Sequence, residues 1–135
     1  MTGTQTLSIP VPANEWISAN DRMHWTAKAS RTRRLRQRGY FEARRNGLLP
    51  MRKAFVTVEV QYPTSRRADP ANAYPTVKAL VDGLVDFGVL TDDDSKHLPE
   101  MTFKRAPGRC LRGWHVITLT LVEQDKTEEG GDDGQ

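Results

Sequence analysis

Two stretches of the chain alternate apolar and polar residues with a period of two. From Lys53 to Tyr62, Val56, Val58, Val60 and Tyr62 fall on one side and Thr57, Glu59 and Gln61 on the other, which predicts a half-buried strand. Trp114 to Val122 repeats the pattern, with Ile117, Leu119 and Leu121 on one face. Leu7 to Val11 alternates more weakly and reads as a strand stopped by Pro10 and Pro12, and Met101 to Arg105 reads as another. Helical spacing takes over in two places. Residues 24 to 46 read as one helix whose thin apolar edge is Trp25, Ala29, Leu35 and Tyr40 or Phe41, with Gly39 weakening it near its end. Pro75 suits the first turn of a second helix, Val77, Leu80, Val81, Leu84 and Val85 form its buried stripe, and Gly88 is its stop.

Strand, helix, strand, helix, strand, strand in that order predicts an α/β or α+β fold. We expect one compact domain over residues 1–125, with a single mixed sheet packed by two main helices. The segment 126–135, KTEEGGDDGQ, is expected to be a disordered acidic tail. A chain of 135 residues is long enough for one core without metals or disulfides.

Charge changes this picture. The last thirteen residues hold six acids against Lys126, a balance of −5, so the preceding 122 residues carry +8 although the total is +3. Most of the excess lies between Arg22 and Arg45, where Lys28, Arg31, Arg33, Arg34, Arg36, Arg38 and Arg44 face Glu42 alone. A stripe this rich in arginine suits phosphate backbones. The lone Cys110 forms no internal disulfide, no 18-residue apolar run exists, and the first residues lack the layout of a signal peptide. These features predict a cytoplasmic protein with no membrane span. His24, His97 and His115 are scattered, and one Cys without paired His does not make a zinc site.

Candidate chemistry is concentrated between Arg66 and His97. Asp69 follows a basic pair just beyond the strongest strand, and Asp92, Asp93 and Asp94 follow the second helix. On that helix Lys78, Asp82 and Asp86 fall at i, i+4 and i+8 and share a face. Carboxylates are the ligands that Mg²⁺ prefers, a phosphate completes its shell, and a Lys one turn into the helix can meet the same phosphate. Each residue also has an ordinary reading. Asp69 before Pro70 opens turns, three Asp before Ser95 cap them, and Lys78 with Asp82 makes a solvated pair.

The block RRADPAN…K…DGL…GVL.DDDSKH resembles the signature of RusA-type Holliday-junction resolvases, small dimeric Mg²⁺-dependent endonucleases common in prophages. Arg66 and Arg67 match the family's basic run, Asp69 its first acid, Asn72 its Asn, Lys78 its Lys, Asp82 its helix Asp, and Asp93 its third acid, with Asp92 beside it. The opening SIPVPANEWISANDRMHW is similar to the family's Pro-rich strand and Asn-bearing loop, with Asn20 as the match. The resemblance implies a homodimer that binds four-way DNA junctions and nicks them symmetrically. Asp69, Asp93 and Lys78 would be catalytic, and Asp69, Asp82, Asp92 and Asp93 would hold Mg²⁺, with Mn²⁺ a possible substitute. DNA would be held by Asn20, Arg31, Arg33, Arg34, Arg36, Arg38, Arg66, Arg67, Asn72, Lys78 and Lys96.

Two departures stand out. The second acid of the family's Asp-x-Asp-Asn is Ala71, and AYPTV lengthens the interval between Asn72 and Lys78. Losing a carboxylate weakens a Mg²⁺ site that has few protein ligands. A branched-DNA-binding protein with impaired catalysis is therefore the alternative, and a domain whose basic face meets an acidic protein is a third reading.

Overall fold

The computed structural model describes residues 3–91 and 99–124. Four strands and two helices appear in the expected order: β1 (Thr4–Pro12), α1 (Trp25–Arg45), β2 (Ala54–Tyr62), α2 (Tyr74–Phe87), β3 (Met101–Arg109) and β4 (Trp114–Glu123). A short 3-10 turn, Pro70–Ala73, precedes α2. The sheet is mixed and runs β1-β4-β2-β3, with β4 antiparallel to both neighbours and β3 parallel to β2. The domain is α+β.

Period-two patterning explains the sheet's two faces. Val58 pairs with Leu119 and Leu119 with Leu7, while Val60, Ile117 and Ile9 form the next row, all buried against the helices. Each such side chain contributes roughly 1.5–3 kcal/mol by leaving water. The opposite face is open and polar. Thr6, Thr120, Thr57 and Thr102 make one row across all four strands, and Ser8, Thr118, Glu59 and Lys104 the next. The edge strands both carry proline. β1 passes through Pro10, which pairs with Val116, and ends at Pro12, so it is longer than the Leu7–Val11 expected. An edge position tolerates the missing N–H. β3 likewise runs past the expected Arg105 to Arg109 and includes Pro107.

The buried edge of α1 differs from the one its sequence predicts. Trp25 is 73% exposed and Phe41 59%, Ala29 is exposed too, and the buried positions are Leu35, Gly39 and Ala43. The reason is a close helix crossing. A Cβ on Gly39 would lie 2.1 Å from the Leu80 carbonyl oxygen, and one on Gly83 would lie 2.1 Å from that of Arg36. Small residues bury by letting backbones meet, which an apolar-stripe reading misses. α2 follows its prediction at Val77, Leu80, Val81 and Leu84, which are buried, while Val85 is only half-buried. Gly88, at φ 104, donates its N–H to the Leu84 and Val85 carbonyls and ends the helix.

Because backbone lies where the new methyl group would go, Gly83→Ala is expected to cost about 3 kcal/mol or more, read as a lowered urea midpoint. An unchanged midpoint would mean that the helices do not approach this closely.

Candidate functional site

The segment leaving β2 is shaped by one arginine on the neighbouring strand. Arg105 of β3 donates from Nη1 to the Arg66 carbonyl (2.6 Å) and from Nη2 to the Thr64 carbonyl (2.7 Å), and its guanidinium sits 4.6 Å from the Tyr62 ring centre. The loop is thus held by its backbone, and Arg66 and Arg67 are left exposed. Asp69 follows in an extended conformation and opens the 3-10 turn, its Oδ1 accepting the Ala71 N–H at 3.0 Å. This is the turn-opening role that its place before Pro70 allows. The carboxylate remains exposed, and one N–H occupies only part of its acceptor capacity.

Asn72 ties this turn to a second segment. Its N–H donates to the Asp69 carbonyl (3.0 Å) and its carbonyl accepts from Ala19 N–H (2.8 Å), so the 13–21 loop, with Asn20 exposed near its tip, docks on the turn. Beneath, the fully buried Thr76 hydroxyl donates to the Ile17 carbonyl and accepts the Ile17 N–H, both at 2.8 Å. Sequence reading did not single out Thr76 or Arg105, and neither lies near its partners along the chain.

Along α2, Lys78 pairs with Asp82 at 3.2 Å, the solvated pair expected from their spacing. Asp86 instead meets α1. Arg36 contacts both of its oxygens, at 2.5 and 2.8 Å, and that hydrogen bonding holds the carboxyl below its ordinary range. The basic stripe on α1 divides in a similar way. Arg38 makes a bidentate pair with Glu15 (2.8 and 2.9 Å) and Arg31 donates to the Trp16 carbonyl (2.8 Å). With Arg36 these side chains fasten α1 to the 13–21 loop and to α2. Arg33 and Arg34 are exposed and make no ion pair among the described residues.

Asp92, Asp93, Asp94, Lys96 and His97 lie outside the described residues. Their flanks are anchored: Thr91 N–H donates to the Met51 carbonyl (2.9 Å), and Val56 N–H to the Glu100 carbonyl (2.9 Å). Both anchors sit toward the start of β2, whereas the chain carrying Asp69 leaves from its end. That chain then turns back over β3, and Tyr74 at the start of α2 lies 6.3 Å from Phe103, ring centre to ring centre. Glu100 is three residues from Phe103, about 10 Å along a strand. Among the described residues, no three His, Cys, Asp or Glu converge to hold a metal ion, and no helix is long and apolar enough to cross a membrane.

Under the site, His115 stacks on Trp16 (3.9 Å, 9° between planes) and meets the edge of Tyr62 at 5.3 Å. Its Nδ1 is buried and finds no hydrogen-bond partner among the described residues, and burial lowers its pKa from 6.5. Burial also raises the Tyr62 phenol above its usual value.

Two outcomes follow from these contacts. Thr76→Val keeps the shape but strands the Ile17 N–H and carbonyl, and is expected to lower unfolding free energy by about 2 kcal/mol or more. Intact stability would show that the hydroxyl is not a clamp. For His115, the unfolded chain takes up its proton near 6.5 and the folded protein only at lower pH, so stability should fall as pH drops below about 6.5. His115→Phe keeps the stack and should flatten that part of the curve, measured by urea unfolding between pH 5 and pH 7.5. An identical slope in both proteins would sink the assignment. Compared with known proteins, the chain matches no family model and no curated sequence.

Proposed function

We propose that the protein is a Mg²⁺-dependent endonuclease of RusA type acting on branched DNA. The observation that carries this reading is the hydrogen bond from Ala19 N–H to the Asn72 carbonyl. It joins the two separate segments that resemble the family, the Asn20 loop and the Asp69 turn, which lie about fifty residues apart in sequence. Arg66 and Arg67 stand exposed just ahead of Asp69, where a phosphate backbone would be held.

Asp69 fits a Mg²⁺ ligand, being an exposed carboxylate with oxygen capacity beyond its turn contact. Asp93, Asp92 and Asp82 are the carboxylates proposed to complete the set. When bound, the metal supplies positive charge at the scissile phosphate and makes water a better nucleophile. Lys78 would exchange its exposed pairing with Asp82 for the phosphate and offset developing charge there. Arg33 and Arg34 would hold a DNA arm through phosphates without reading sequence. Two symmetric nicks call for two such sites, hence a homodimer.

Ala71 favours one further reading, a junction-binding protein with impaired cleavage. The residue is exposed, and its backbone alone is engaged, the N–H donating to Asp69 and the carbonyl accepting from Tyr74 N–H. A carboxylate placed there displaces no packed neighbour, so Ala71→Asp is a clean probe of the missing ligand. Asp69→Asn is equally clean, because the amide oxygen can still accept the Ala71 N–H.

The test is cleavage of a labelled four-way junction in Mg²⁺ and in Mn²⁺. The wild type should give paired symmetric nicks, and Asp69→Asn or Asp93→Asn should lose more than the roughly 10- to 100-fold that even outer-shell residues cost. Salt-dependent junction binding without cleavage, with activity gained in Ala71→Asp, would select the impaired reading. Failure to prefer the junction over linear duplex would refute both.

A further inference from the structure

The far end of the sheet carries a second basic surface, distinct from the α1 stripe. Because β4 lies between β1 and β2, the chain leaving β3 at Arg109 must pass across the end of β2 before β4 begins at Trp114. The crossing is fixed by its backbone. Cys110 N–H donates to the Tyr62 carbonyl (3.1 Å), Trp114 N–H to the Leu111 carbonyl (3.1 Å), and Ala13 N–H to the Gly113 carbonyl (2.9 Å). This pinned turn holds Leu111 outward, 77% exposed, with Trp114 37% exposed behind it. Arg109 and Arg112 flank Leu111, and their side chains make no hydrogen bond or ion pair among the described residues. Arg66 and Arg67 stand at the same end, their loop tethered by Arg105. No Asp or Glu occurs anywhere between Glu100 and Glu123.

Exposed apolar side chains and uncompensated guanidiniums ask for different things from a partner. An apolar protein surface would leave the arginines unneutralised, and an acidic one would leave Leu111 and Trp114 facing charge. Nucleic acid with unstacked bases meets both needs, with phosphates for the arginines and base faces for the apolar pair. A branch point is where duplex stacking is interrupted. We infer that the 110–113 turn is a wedge: Leu111 and Trp114 pack against bases at the branch point while Arg109 and Arg112 hold the flanking phosphates. The inference rests on the branched-DNA reading for its ligand, but on residues that the reading does not use.

The experiment places 2-aminopurine at the branch point of a four-way junction and follows its fluorescence and the binding affinity, with a single-stranded oligonucleotide in parallel. The wild type should brighten the probe as the base unstacks. Leu111→Ser should abolish most of that rise and weaken binding roughly 5- to 100-fold, with unchanged thermal unfolding because the side chain is exposed. Arg109→Gln combined with Arg112→Gln should lower the slope of log affinity against log salt by about two. Junction binding by the wild type with no change in either variant overturns the wedge and leaves the proposed function standing. Loss of single-strand binding in the variants, where the wild type ignores the junction, keeps the base contact of the turn but overturns both its place at a branch point and the branched-DNA reading. A wild type that binds neither DNA overturns both.

Discussion

Two helix backbones touch where Gly39 meets Leu80 and Gly83 meets Arg36, and much of the domain's arrangement follows from that contact. It brings α1 close enough to α2 for Arg36 to grip Asp86 and sets α1 beside the 13–21 loop, where Arg31 and Arg38 find their partners. With α2 so placed, Thr76 on its first turn faces Ile17 and closes the loop from the other side. The Asn20 loop and the Asp69 turn are therefore not independent excursions. They are two ends of one clamp whose hinge is the helix crossing, and a change at either glycine would reach residues that touch neither.

Much of this was legible in the sequence because the physics involved is local. Val56, Val58 and Val60 announce a strand by period alone, and Val77, Leu80, Val81 and Leu84 announce a helix with Gly88 at its end. Where side chains bury through backbone contact, hydrophobic pattern is blind, which is why it marks Trp25 and Phe41 as the packed edge of α1 and Gly39 as a weakness. The four-stranded order was not legible either, since nothing in the sequence says that the last strand inserts between the first and second.

The candidate site shows the same division. Asp69, Asn72, Lys78, Arg66 and Arg67 could be picked out because they stand close together in the chain. Arg105 and Thr76, which hold that region in shape, act across about forty and sixty residues and carry no motif. The sequence presents the basic stripe as a single phosphate-facing surface, yet Arg31, Arg36 and Arg38 have protein partners, and among the described residues Arg33 and Arg34 have none. Charge density reveals how much positive potential a helix carries, whereas only the fold reveals how much of it is already answered.

The prolines at the two margins of the sheet have a consequence for assembly. Pro10 and Pro12 interrupt the donors of β1, and Pro107 those of β3, so neither outer strand presents an unbroken ladder to another chain. Two copies cannot easily continue one sheet into the next. A symmetric pair would have to meet through helices or through the open threonine-lined face.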